Sequence, residues 1–216
     1  NFLIYLLKIQ TMKKLMILSV SLLVMASCSK EKESEKESTS IGDVFNGVKT
    51  MNTLSNSMED IQKNTERLQK LTPMSNDELK AVLPETLLGL PRVSFSVGDN
   101  SMMKISSADA EYKDENNKNI KLKVLDGAGE TGSAMISILM MGLTSNSEKT
   151  TQDGFEKMGD FNGTKAQIKE TKRESGVDSE INYILKDRYM ITIEGDGYTT
   201  EELKKVMDLI NGSSLK

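Results

Sequence analysis

Two hydrophobic periods divide the chain. Over residues 44–71, Met51, Leu54, Met58, Ile61, Thr65 and Leu68 recur every three or four positions, with Asn, Glu, Lys, Gln and Arg between them. That spacing predicts one long amphipathic helix over 44–72. The stripe is heptad-like, but three heptads are marginal for a coiled coil, so the helix is expected to pack along its own domain or serve as a stalk. A short helix follows. Ser75 and Glu78 have the S-x-x-E spacing in which hydroxyl and carboxylate satisfy the first free amides, and Leu79 and Val82 supply its apolar side. Pro84 should end it.

From Val93 the period drops to two. Val93, Phe95 and Val97 alternate with serines; Ala108, Ala110 and Tyr112 alternate with Ser107, Asp109 and Glu111. Ile120, Leu122 and Val124 alternate with lysines, and Ala166–Ile168, Ile181–Tyr183–Leu185 and Tyr189–Ile191–Ile193 follow the same rule. Each run reads as a strand with one wet and one dry face. Hairpins are expected at Glu115 to Lys118 and near Asp187. The chain closes on "YTTEELKKVMDLING", where Thr199 and Glu202 repeat the capping box. Leu203, Val206, Met207 and Ile210 share a helical face there, and Gly212 marks the end. The predicted fold is α+β: an antiparallel sheet of about five to seven strands, its dry face packed by two helices (132–143 and the C-terminal one). A long N-terminal helix precedes a globular domain over 73–216.

One loop invites a different reading. In "VLDGAGETGSAMISILMMG", Gly127, Gly129 and Gly132 spell G-x-G-x-x-G between a strand and an apolar helix. A dinucleotide fold needs a parallel sheet buried on both faces, so its first strand should be almost wholly apolar. Here Lys121 and Lys123 occupy alternate positions. The carboxylate expected about 20 residues later is replaced by a polar loop, residues 144–154. The glycines are therefore expected to turn the chain into its helix, with no cofactor.

The N-terminus changes the picture most. From Met12 the chain reads "MKKLMILSVSLLVMASC": Lys13 and Lys14, an apolar run from Leu15 to Val24, then small residues before Cys28. This is a signal peptide over 12–27, too short to span a membrane comfortably. Ala26, Ser27 and Cys28 resemble the lipobox of bacterial lipoproteins, with Met25 where Leu is usual. The resemblance implies cleavage between Ser27 and Cys28 and lipidation of Cys28, which is the only cysteine in the chain. Residues 1–11 do not fit an n-region and are expected to be an upstream, non-native extension. After Cys28, "SKEKESEKESTS" has no apolar residue, so residues 28–43 are expected to form a disordered tether. That run resembles the charged segment of surface-exposed Bacteroidota lipoproteins, and Ser29 in place of Asp implies release from the inner membrane. Together they imply an outer-membrane, surface-exposed protein of the cell envelope. Residues from "LPETLLGLPRVSF" to the "TTEEL" helix also resemble uncharacterised envelope domains, a likeness that brings no activity with it.

Composition excludes much chemistry. The chain has 216 residues, net charge −4 and no histidine. Loss of 1–27 removes Lys8, Lys13 and Lys14, leaving 25 basic and 32 acidic residues, net −7. A chain so acidic offers no stripe for phosphates, so nucleic acid is not an expected partner. Without histidine, and with Cys28 claimed by lipid, histidine-dependent triads, histidine zinc sites and a catalytic thiol are excluded. Ser101 and Lys104 match S-x-x-K without its companion motifs. Acids cluster at Asp109, Glu111, Asp114 and Glu115, where "DENNKNIKLKVL" lacks the central Gly and final Glu of a calcium loop, and again at Glu194 and Asp196, where the strand must turn into the last helix; both clusters are expected to be solvated turns. Asn162 and Asn211 head glycosylation sequons in form only. The expectation is a non-catalytic lipoprotein, without cofactor or metal, anchored to a membrane by Cys28 and binding an unknown protein or small molecule. The alternatives are a carboxylate-based hydrolase of envelope polymers or glycans, needing two acids facing each other at about 5–10 Å, and a carrier of an apolar ligand beside Met135, Ile138 and Met141.

Overall fold

The structure, a computed structural model, describes residues 41–100, 105–115, 118–161, 163–174, 176–212 and 215; for 41–54, 99 and 100 it describes the backbone alone. Ser27, Cys28, the signal peptide, Ser101 to Lys104 and Asn162 lie outside the described residues. Gly47–Lys216 form one of the two units into which the chain divides.

Helix α1 (Ile41–Gln69) is followed by the short α2 (Asn76–Ala81). Strands β1 (Thr86–Leu87), β2 (Leu90–Asn100), β3 (Ile105–Lys113) and β4 (Asn119–Asp126) lead to α3 (Gly129–Leu143). A second meander runs β5 (Glu148–Thr151), β6 (Gly154–Phe161), β7 (Thr164–Arg173), β8 (Gly176–Leu185) and β9 (Tyr189–Asp196), and α4 (Thr200–Asn211) ends the fold. Both capping boxes form, Ser75 with Glu78 and Thr199 with Glu202.

All nine strands join one antiparallel sheet in the order β1-β2-β3-β4-β9-β8-β7-β6-β5. The expectation of five to seven strands is thereby corrected. The additional strands are those that alternation cannot reveal. β1 has two residues, every residue of β5 is exposed, and nearly all of β6 is half-buried. The segment read as the polar loop 144–154 contains β5 and the start of β6.

The dry face is built as the alternation requires. Ala108, Val124, Ile191, Tyr183 and Ala166 are cross-strand partners in succession from β3 to β7, all buried. Against them lie Leu203, Val206, Met207 and Ile210 of α4, with Leu79 and Val82 around α2, in one continuous cluster.

Helix α3 does not share that face, a second correction. Its buried Ile136 and Leu143 fall outside the main cluster, as do Ile61, Leu68 and Ile105. Strand register puts Ile105, Leu125, Met190 and Ile184 on the face opposite Val124, and α3 reaches across β3, β8 and β7 there. Nor does the long helix merely precede the domain. Ile61 and Leu68 are buried, Thr65 hydrogen-bonds Ser137 of α3, and Asn64 and Arg67 donate to the Asp187 carbonyl. That carbonyl belongs to the β8–β9 turn, Lys186 to Arg188, where Lys186 and Asp187 have φ of 54° and 52° and the Arg188 amide donates to the Leu185 carbonyl. The last turns of α1 and all of α3 thus form a lid over one end of the second face.

Candidate functional site

The glycine loop is a packing device. β4 is antiparallel to both neighbours, so the parallel βαβ frame of a dinucleotide site is missing. A Cβ on Gly127 would collide with Ile136 and lie 2.5 Å from the Arg188 carbonyl oxygen; on Gly132 it would lie 2.7 Å from the Asp126 carbonyl oxygen. Gly129 has φ +82°, which lets the chain swing into α3. The position in front of the helix is taken by a side chain of the protein itself. Asp126, 0 % exposed, accepts from the Ala128 amide (3.0 Å) and the Met74 amide (2.7 Å). It also makes a two-pronged pair with Arg188, at 2.7 Å to Nε and 2.8 Å to Nη2. Chiefly through that hydrogen bond, Asp126 holds the guanidinium above its ordinary pKa. Arg188 lies 5.0 Å from the Tyr189 ring and donates to the Thr72 carbonyl. This node locks the linker after α1, the glycine loop and the β8–β9 turn together. Sequence reading missed it, because an Asp before a glycine turn and an Arg after a hairpin carry no local signal of pairing.

The better candidate lies on the second face, beyond the lid, where the sheet is open and charged. One row runs Ser94, Glu111, Lys121, Glu194, Glu180, Lys169, Glu156, Lys149 across the strands, each residue directly opposite the next. Opposite charges facing each other stabilise a sheet and like charges destabilise it. Signs alternate along this row except at one place, the seam between β9 and β8, where Glu194 meets Glu180. The adjacent row repeats the fault at the same seam, with Asp196 opposite Asp178.

Cations flank the four acids. Lys123 donates to Glu194 at 2.6 Å, and chiefly that bond raises the lysine pKa above its usual value. Arg173 pairs with Asp178, and Asn182 donates to Glu180 at 2.6 Å. The acids and Lys121, Lys169, Arg173, Asn119 and Thr171 line an open groove of about 460 Å³. The sequence reading noticed Glu194 and Asp196 but assigned them to a solvated turn; they lie in β9, facing β8. Asp109 and Glu111 are on the same open face, opposite Lys123 and Lys121, while Asp114 and Glu115 remain in the hairpin.

Of the residues expected to border an apolar ligand, Met135 is half-buried in α3. Ile138 is 71 % and Met141 49 % exposed on the outer side of α3. A groove of about 480 Å³ does lie nearby, with Ile61, Met140, Leu143 and Ile184 below a rim of Asp60, Lys165 and Asp187, but it is open to solvent. Among the described residues no three acids converge as a metal site, and no helix is long and apolar enough to cross a membrane. Comparison with protein-family models, with curated proteins and with solved structures gives no match.

Proposed function

We propose that the chain is a cell-envelope lipoprotein, held at a membrane by an acylated Cys28, whose domain binds a polar envelope component on the open charged half of its sheet and does no chemistry on it. The observation that carries the binding reading is the pair of consecutive acid–acid rungs, Glu180–Glu194 and Asp178–Asp196. A sheet face shaped by stability alone would alternate its signs there, as the rest of the row does. A cationic group of a partner, seated between the facing carboxylates, relieves the repulsion, and Lys121, Lys169 and Arg173 complement anionic parts of the same partner. The anchor rests on the sequence Ala26-Ser27-Cys28 behind a signal peptide.

Facing carboxylates also favour a second reading, hydrolysis of a glycan, since neighbouring strands set opposed Cβ atoms about 5 Å apart. It is the weaker one. Glu194 and Asp178 are tied to cations, so neither rung offers two uncommitted carboxylates to serve as acid and base.

Two measurements test the proposal. Cells fed labelled palmitate should yield labelled, membrane-bound protein from the wild type and unlabelled, soluble protein from Cys28→Ala; soluble, unlabelled wild type overturns the anchor. A photo-crosslinking residue at Thr171 should capture an envelope component in intact cells, and the product should vanish with Glu180→Lys/Asp196→Lys. Equal capture by both chains, or none by either, overturns the binding reading. Release of sugar from purified envelope glycan, lost in Glu180→Gln, would install the hydrolase in its place.

A further inference from the structure

The two edges of the sheet are built differently. β5, at one edge, is four exposed residues, Glu-Lys-Thr-Thr: short, charged and unattractive to another strand. The other edge is mostly β2. Its outer neighbour β1 pairs only through Thr86–Pro91 and Leu87–Leu90. Past the irregularity between Arg92 and Ser94, β2 is bonded to β3 on one side and, among the described residues, to no strand on the other. Val93 is 55 % and Phe95 44 % exposed, and no charge falls between Val93 and Gly98. Phe95 stays on the surface because Arg92 and Lys80 hold its ring, 4.9 and 5.4 Å from its centroid. A bare edge of backbone donors and acceptors with apolar side chains is a template for strand addition.

The sequence of that edge indicates which strand is added. Val93-Ser94-Phe95-Ser96-Val97 reads the same in both directions. Two antiparallel copies related by a two-fold axis at Phe95 place Ser94 opposite Ser96 and Phe95 opposite itself, with Val93, which lies in the irregularity, and Val97 at the two ends. Beyond them the strands part, because β1 and the Glu85 carbonyl already occupy the outer edge at Leu90 to Arg92. Each rung then matches apolar with apolar or hydroxyl with hydroxyl, the pairings that stabilise a ladder. A two-fold contact requires a patch complementary to itself, which a palindromic strand supplies. We propose that a second copy of this chain adds to β2, joining two nine-stranded sheets edge to edge through Val93–Val97. Because this contact consumes both β2 edges and leaves only the blunted β5 edges, assembly stops at the dimer.

The test uses the full chain with Cys28→Ala, so that each introduced thiol is the only one present and the outcome is independent of lipidation. Under mild oxidation Phe95→Cys should link into a covalent dimer, because residues opposed in an antiparallel pair have Cα atoms about 4.5–5.5 Å apart, within disulfide range. Ser94→Cys and Ser96→Cys should each link poorly alone and well when mixed, which reads the register. Thr150→Cys on β5 should stay monomeric. Light scattering should give twice the chain mass without added cysteine and one chain mass for Phe95→Lys, an exposed change that leaves the circular dichroism intact. Phe95→Cys linking no better than Thr150→Cys, Ser94→Cys linking as well alone as mixed with Ser96→Cys, or a monomer mass before any edge substitution overturns the proposal.

Discussion

Helices α3 and α4, packed on opposite faces of the sheet, teach opposite lessons. α4 opens on a capping box and buries Leu203, Val206, Met207 and Ile210 along one side. Its sequence states its orientation, and it sits where the sequence says. α3 is apolar nearly all round, has no side-chain cap at Ala128, and leaves Ile138 and Met141 in solvent. With no polar side to contradict it, it could be laid on either face by pattern alone. What orients α3 is packing around Gly127 and Gly132 and the buried Asp126–Arg188 pair, none of which is periodic.

Arg188→Ala should therefore have the largest effect. It leaves Asp126 buried without its charge partner, a change that typically costs about 3–5 kcal/mol. Chemical denaturation should show that loss, with proteolysis first at the α1–α2 linker, whose Thr72 carbonyl Arg188 holds. Next comes the direct contrast between helices. Leu203→Ala, at a fully buried position, should cost about 2–5 kcal/mol, whereas Ile138→Ala should stay within about 0.5 kcal/mol. Equal losses would show that the outer side of α3 is covered.

Alkali probes the dry face through its buried tyrosines. Burial pushes the Tyr112 hydroxyl up to about 12 and raises that of Tyr183 as well. A folded pKa above the unfolded value near 10 means that this stabilisation is whole below pH 10 and disappears as the pH climbs toward 12. Tyrosinate absorbance should therefore rise in step with loss of structure in that window. Phenol titration before unfolding would contradict the closed core.

The smallest effect has the most informative sign. Asp196→Lys puts opposite charges across the β8–β9 seam and should raise stability by about 0.2–1 kcal/mol. Lys121→Glu, which spoils an alternating rung, should lower it by a similar amount. A loss from Asp196→Lys would mean that the acid pair is not frustrated.

Much of the first face was legible because a half-buried strand writes its environment every second residue. Ile120, Leu122 and Val124 predict it, and both capping boxes mark helix starts unaided. The second face is written more faintly. Along β4, β8 and β9 alternation fails at one end, in Val124-Leu125, Tyr183-Ile184-Leu185 and Tyr189-Met190-Ile191, and these consecutive apolar residues are what burial on both sides leaves in a sequence. The lid formed by α1 and α3 covers those ends. Of the charged groove only Glu194 and Asp196 were noticed, since Glu180 and Glu194 are 14 positions apart and only the β8–β9 register makes them opposite.

The groove serves an envelope protein only if the domain is tethered to a membrane. The mass of the mature chain isolated from cells tests this most directly. The mature chain should begin at Cys28 and carry fatty acyl groups. A mature chain with an unmodified Cys28 thiol, or one beginning at another residue, would contradict the tether.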